Sequence, residues 1–257
     1  MSTFKIKSYH IYPIKSLGGQ KVKSPKATLS GFEYDRQWML VDEHGKFQTQ
    51  REFPKMALLA AKVSRGRVTC FEKSNPENKI TFAAASILEE QINVNIWSDK
   101  LKASLVDHKV DEWFSDQLNS RVRLVNKTNR KKYIRKLKES YPTNYPDAYP
   151  YLVLSTNSLK EINSHLKDKI GLERFRANII IEGSEAFFED KIDEFKLGDI
   201  PFKMIKQCGR CIVVNTDQDT SKIYKEPLKS LAKYRTYRNK VMVGMNAIAL
   251  SEGKIMS

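Results

Sequence analysis

The segment Cys208-Gly209-Arg210-Cys211 holds two of the chain's three cysteines with an arginine between them, and it runs on through Ile212-Val213-Val214 to Asp217 and Thr220. A thiolate is the softest ligand that a side chain offers to a metal, and a neighbouring guanidinium favours the ionised sulfur. The segment can therefore hold a soft metal or carry redox chemistry. It can equally be two small core residues, because free cysteine is among the most buried residue types. A closed zinc site wants four protein ligands, usually in two closely spaced pairs. The remaining candidates, Cys70 with His10, His44, His108 and His165, are scattered and form no second pair. A thioredoxin-like pair opens a helix that follows a strand, whereas the β-branched run Ile212–Val214 predicts a strand. The third possibility is a single thiolate donated to a metal whose other ligands are not protein. The local sequence permits it.

A second group of polar residues lies upstream. The stretch from Glu173 to Ile181 reads as extended, and alternation along a strand then puts Arg174, Arg176 and Asn178 on one side, with Phe175, Ala177 and Ile179 on the other. Two guanidiniums and an amide in a row suit a planar, anionic or hydrogen-bonding ligand. An ordinary half-exposed strand is the alternative.

These residues need a scaffold. At 257 residues, 40% hydrophobic and 29% charged, the chain is long enough for one or two cores. It has no apolar run long enough to cross a membrane, and its first residues lack the apolar stretch of a secretory signal. Three cysteines do not make a disulfide framework, so a reducing, cytoplasmic setting is expected. A net charge of +15 favours anionic partners.

The first hundred or so residues read as strands. Lys5–Tyr12 alternates up to Pro13, and residues 15–19 form a turn with a basic and a hydroxyl group. Three hairpins are expected: residues 37–42 with 46–51 around Glu43-His44-Gly45, residues 67–72 with 79–82, and residues 93–97 with 101–106. Val110, Trp113, Phe114 and Leu118 share one helical face, and Arg121–Val125 reads as a strand. Arg121–Lys138 contains nine Lys or Arg and no acid. It is a solvated basic face or loop, or a docking site for an acidic partner or nucleic acid. Tyr133, Tyr141 and Tyr145 interleave the charges as in a single-strand binder, yet no nucleic-acid-binding motif accompanies them, which makes nucleic acid unlikely as a partner. Residues 141–150, with a proline every four residues, form a loop. Beyond them a strand over Tyr151–Leu154 leads to a helix capped by Ser155 with Leu159, Ile162 and Leu166 on its buried face. A hairpin through Gly198-Asp199 then feeds the cysteine segment.

Taken together, these pieces resemble the MOSC family, in particular members with an N-terminal β-barrel domain such as the amidoxime-reducing components and their bacterial relatives. The resemblance spans nearly the whole chain. It rests on Ile11–Ser16, Gly31 with Asp35–Trp38, Gln50–Pro54, Asp147–Tyr151, Arg174–Ile179 and Cys208–Thr220. It implies a mainly β fold with a few helices (α+β), with a barrel-like N-terminal domain over residues 1–120 and a MOSC β-barrel over 121–257. It further implies a molybdenum–molybdopterin cofactor (Moco) with Cys211 as the protein ligand to the metal. Lys15, Ser16, Arg36, Arg51, Arg174, Arg176, Asn178 and Arg210 would bind the cofactor, and Asp147 joins Cys211 as a catalytic residue. Cys208 takes a packing or supporting role.

The implied activity is reduction of N-hydroxylated compounds, hydroxylamines or amidoximes, with electrons from a separate acidic ferredoxin- or cytochrome-like protein. A non-catalytic carrier of the cofactor or of sulfur is the alternative. The sequence departs from the family pattern at Ala177, where proline is usual, and at Ser221, where glycine is usual. It carries no ferredoxin-like cysteine cluster, and it ends at Ser257, near where the family's last barrel strand would finish.

Overall fold

The computed structural model describes residues 4–256. Its centre is an eight-stranded sheet in the order Glu194–Leu197, Ile200–Gly209, Lys240–Ala249, Tyr151–Ser155, Ile179–Glu182, Lys5–Ile11, Gln20–Val22, with Thr236–Tyr237 also paired to Lys240–Ala249. One pairing is parallel, between Tyr151–Ser155 and Ile179–Glu182; the others are antiparallel. Parallel neighbours need a crossover, which helix Thr156–Ser164 supplies. Ser155 caps it, its hydroxyl accepting from the Asn157 amide at 3.1 Å. Ile162 is buried beneath this helix and Leu166 just past its end, packed with Leu154, Phe175 and Ile180.

The remaining strands form smaller sheets. Leu59–Ser64, Arg67–Glu72 and Lys79–Ala83 make an antiparallel meander, and Gln91–Ile96 pairs with Asp99–Ser104 across a Trp97-Ser98 turn. Two of the three expected hairpins are therefore present. The first is not: Trp38–Val41 pairs with Arg123–Asn126, and residues past Gly45 return only a bridge between Val41 and Phe47. Gln48, Thr49 and Gln50 are all buried, held by polar contacts such as Gln50 Nε2 to the Ser16 carbonyl at 2.6 Å. Helix His108–Leu118, capped by Asp107, buries Val110, Phe114 and Leu118 against Val122 and Leu124, with Trp113 partly buried beside them.

The architecture is mainly β with few helices. The central sheet is open, ending at Glu194–Leu197 and Gln20–Val22, so it does not close into the ring that a barrel requires. The halves of the sequence interlock instead. Lys5–Ile11 lies inside the sheet built largely from later residues, and Gly253–Lys254 pairs with Lys26–Thr28.

The basic run is ordered. Lys131–Ile134 pairs with Glu139–Pro142 over a small apolar cluster of Ile134, Tyr149, Ile205 and Ile248. Arg130 is buried on Asp99 at 2.7 Å, and Lys136 pairs with Asp193 at 2.7 Å. Lys127, Lys131, Arg135 and Lys138 remain exposed.

Lys5–Ile11 leaves the sheet at the end where Tyr151–Ser155 and Ile179–Glu182 enter it. Ile200–Gly209 instead runs in the same direction as Tyr151–Ser155, on the far side of Lys240–Ala249. Segments 15–16, 145–149, 174–178 and 208–214 come together beside these strands.

Candidate cofactor-binding cleft

Those segments open onto a cleft. Lys15, Ser16, Arg36, Arg51, Asp147, Arg174, Arg176, Asn178, Arg210 and Cys211 all line it, together with Cys208. Two of the local conformations differ from those the sequence suggests. Leu172–Phe175 is a 3₁₀ turn, Arg176 is left-handed at φ +54°, and the strand begins only at Ile179. Arg174 and Arg176 therefore reach the cleft from a turn rather than from one face of a strand. Likewise, Ile212–Asn215 is a 3₁₀ turn, with Cys211 extended in front of it. The preceding strand stops at Gly209 because Arg210 folds inward. Its Nε donates to the Val243 carbonyl at 2.9 Å and its Nη1 to the Phe175 carbonyl at 3.0 Å. Gly244 makes this possible. At φ +75°, a Cβ there would stand 2.8 Å from the Val153 carbonyl and 3.3 Å from Arg210 Nη2.

The arginines are tied down on one side and free on the other. Arg174 donates to Asp217 at 2.7 Å and to the Asn215 carbonyl at 3.2 Å. Arg36 donates to Asp35 at 2.6 Å, to Asn178 Oδ1 at 2.9 Å and to the Arg176 carbonyl at 2.8 Å. Arg176 donates through Nη1 to the Leu17 carbonyl at 2.6 Å. The Tyr12 ring lies under both Arg36 and Arg176, with centroid distances of 4.5 and 4.4 Å. Arg176 Nη2 and Arg210 Nη2 are buried with no partner. Burial, and then the neighbouring Arg36, push the Arg176 guanidinium down to about 10. Positive charge is crowded here without enough acid to match it, which is the electrostatic signature of an anion site.

Opposite the arginines, Asp147 bridges two cations. Lys15 Nζ donates to its Oδ1 and Arg51 Nη2 to its Oδ2, the latter at 3.2 Å. Lys15 also donates to the Tyr145 carbonyl at 3.0 Å. Burial opposes ionisation of Asp147, but Lys15 and Arg51 outweigh it and hold the carboxyl well below the usual carboxylate range. The same Arg51 Nη2 lies 3.4 Å from Cys211 Sγ. Behind Arg51, Gln50 and Gln218 exchange amide hydrogen bonds at 3.2 and 3.1 Å, and Lys73 donates to the Gln218 carbonyl at 2.6 Å. This clasp fastens residues 50–51 to the loop that follows Cys211. No spacing in the sequence links Gln50 to Gln218; only the positive φ of Gly244 had a local signal, a glycine inside an apolar strand.

Cys70 is fully buried, and burial pushes its thiol far above the ordinary value. It takes no part in the cleft. Among the described residues, no group of three or more His, Cys, Asp or Glu is placed to hold a metal by itself, and no helix is long and apolar enough to cross a membrane.

An open, mainly β scaffold whose loops gather a thiol and several arginines at one end belongs to a recognisable class. The MOSC N-terminal beta barrel domain matches residues 3–121, and the MOSC domain matches residues 140–257; the chain belongs to the MOSC family. It is 30% identical over 237 residues to Mitochondrial amidoxime reducing component 2 of Homo sapiens, covering 88% of this chain and 70% of that one. To Mitochondrial amidoxime-reducing component 1 of Mus musculus it is 29% identical over 237 residues, covering 88% and 69%. To Molybdenum cofactor sulfurase of Oryza sativa subsp. japonica it is 28% identical over 268 residues, covering 95% of this chain but 32% of that longer protein.

Proposed function

We propose that this chain binds a molybdenum–molybdopterin cofactor in the cleft, with Cys211 as the protein ligand to the metal. We propose further that it reduces N-hydroxylated compounds, hydroxylamines or amidoximes, with electrons from a separate acidic ferredoxin- or cytochrome-like protein. The observation that carries this reading is the half-exposed Cys211 thiol facing buried guanidiniums, two of which have an Nη2 without a partner. The donor set fits: one soft ligand suits a metal that brings its other ligands with it, and unpartnered guanidinium N–H groups suit a phosphate-bearing pterin. The names of the human and rice relatives, one an amidoxime reducing component and one a molybdenum cofactor sulfurase, support the same reading.

In this reading Arg174, Arg176 and Arg210, with Arg36, Asn178 and Ser16, hold the pterin and its phosphate. When bound, the group supplies the two-electron chemistry that removes oxygen from nitrogen. Cleaving the N–O bond consumes two electrons and two protons, and the oxygen leaves as water. The protein's own part is to position and to hold protons. Lys15 Nζ keeps a proton at the floor of the cleft, and burial lowers its pKa despite Asp147. Asp147, kept ionised, aims Arg51 Nη2 at the sulfur. A half-exposed working thiol needs a reducing compartment, so we place the protein in the cytoplasm.

The test is molybdenum content and released-pterin fluorescence of protein from a host that makes the cofactor, compared with Cys211→Ser. The expected result is molybdenum approaching one per chain in the parent and a large loss in the variant. Negligible molybdenum in the parent, or equal retention in both, overturns the reading. Loaded protein that fails to reduce benzamidoxime with a chemical reductant would favour the carrier alternative.

A further inference from the structure

A second cavity of about 260 Å³ adjoins the cleft and shares Asp147 with it. Trp97, Ser98 and Asp99, at the turn between Gln91–Ile96 and Asp99–Ser104, form one wall; Arg130, Lys131, Lys132 and Tyr133 form the other. Its aromatic wall is unusual in three ways. Trp97 is 52% exposed and Tyr133 59%, although large aromatics normally bury most of their surface. Trp97 also sits at φ +55°, in the first position of a two-residue hairpin turn where positive φ usually calls for glycine. A bulky residue is an uncommon occupant of that backbone region. Finally, the ring is braced from behind, by Phe47 at 5.1 Å between centroids and by the Arg51 guanidinium at 4.8 Å. The same Arg51 contacts Cys211, so a molecule seated on Trp97 lies one guanidinium away from the thiol.

The opposite wall carries unneutralised charge. Lys131 is exposed and has no ion pair among the described residues. Burial, then Arg130 and Lys206 close by, push the Lys132 ammonium below its ordinary value. An anion arriving between Lys131 and Lys132 would relieve that crowding. The volume is ample for a ring, since an apolar cavity of about 150 Å³ takes up benzene.

We propose that the cavity between the Trp97-Ser98 turn and the Lys131–Ile134 strand is a substrate subsite for a planar aromatic ring bearing an anionic substituent. The ring lies against Trp97 and the anion meets Lys131 and Lys132. The inference deepens the proposed function by naming its substrate class, and it rests on the neighbouring cleft being the reacting site.

Equilibrium binding to the full chain, by calorimetry and tryptophan emission, tests it with two pairs of probes: 4-carboxybenzamide against benzamide, and 4-carboxybenzamidoxime against benzamidoxime. The carboxylated member of each pair should bind about tenfold more tightly, a factor within reach of one charge-assisted contact. The Lys131→Gln/Lys132→Gln double variant should erase that advantage while leaving the affinity for benzamide. Trp97→Phe should keep the ring affinity but lose the emission change on binding, and Trp97→Ala should weaken all four probes. Thermal melts verify that each variant folds. Equal affinity within both pairs overturns the proposal. So does a carboxylate advantage that survives the double variant, because the anion would then be sitting among the cleft arginines. The amide pair has no N–O bond, so its binding stands or falls independently of whether the oximes are reduced.

Discussion

Asp111 shows how far a single burial shifts a charge. It lies in the first turn of helix His108–Leu118, and burial pushes its carboxyl up to about 6 even though Oδ1 accepts from the Leu124 amide at 2.6 Å. The folded state therefore binds this proton more tightly than the unfolded chain does. Its contribution to stability is full below about pH 4 and falls as the pH rises towards 6. Asn keeps the Oδ1 acceptor, so Asp111→Asn should remove this decline. Urea unfolding at pH 4, 5, 6 and 7 should show the parent losing ground to the variant across that interval, and parallel curves would refute the assignment. Asp147 behaves in the opposite sense. Its carboxyl is depressed, so its contribution is full above about pH 4 and is lost as the pH falls further. Asp147→Asn should therefore destabilise at pH 7, leaving Lys15 without its charge partner, and the penalty should fade in acid. At this scale the sequence was readable for residue type: a thiol and a row of arginines. That Arg51 would reach Cys211, or that Asp111 would lose its solvent, depends on neighbours more than ten residues away, which no local spacing encodes.

Elements position these residues through a few irregularities. Gly244→Ala would force a side chain to within contact of the Val153 carbonyl at a left-handed backbone position. The expected cost is about 1–3 kcal/mol, with displacement of Arg210 and reduced cofactor retention; an unchanged melting curve would show that the strand yields more easily than its geometry indicates. The Gln50–Gln218 clasp makes a sharper test. Gln218→Leu strands a buried amide and should cost about 1–3 kcal/mol, whereas the Gln50→Leu/Gln218→Leu double variant should recover part of that loss. Strict additivity in the cycle would mean the two amides do not act as a pair. Turn chemistry made two hairpins and the helix capped by Ser155 legible, because Asn, Asp, Ser and Pro act within a few residues, while helix His108–Leu118 is legible from the spacing of Val110, Phe114 and Leu118. The Ile212–Val214 run and the arginine segment were misread as strands. Their β-branched and alternating residues match the pattern, but Arg210 bonding inward and a left-handed Arg176 decide the backbone there.

The whole molecule carries a net charge of +15, and the Lys131–Ile134 hairpin displays part of it beside the cleft. Arg135 and Lys138 are exposed and unpaired among the described residues, whereas Lys136 is engaged by Asp193. If an acidic donor docks here, Arg135→Glu/Lys138→Glu should cut donor-driven turnover severalfold, chiefly at low salt, while turnover with a small chemical reductant holds. Equal turnover from the donor at 20 and 200 mM salt in both proteins would exclude steering. The open sheet, rather than a closed ring, was not legible at this scale, since closure depends on which strands end up as edges. The place of Lys5–Ile11 in that sheet has a consequence in time. Tyr9 is paired with Ile179, and at about 5–20 residues per second of synthesis its partner is made roughly 10 to 30 s later. Throughout that interval the first strand of the newborn chain has only the short Gln20–Val22 beside it, and the cleft, which joins Lys15 to Cys211, can come into being only after the cysteine segment has been made.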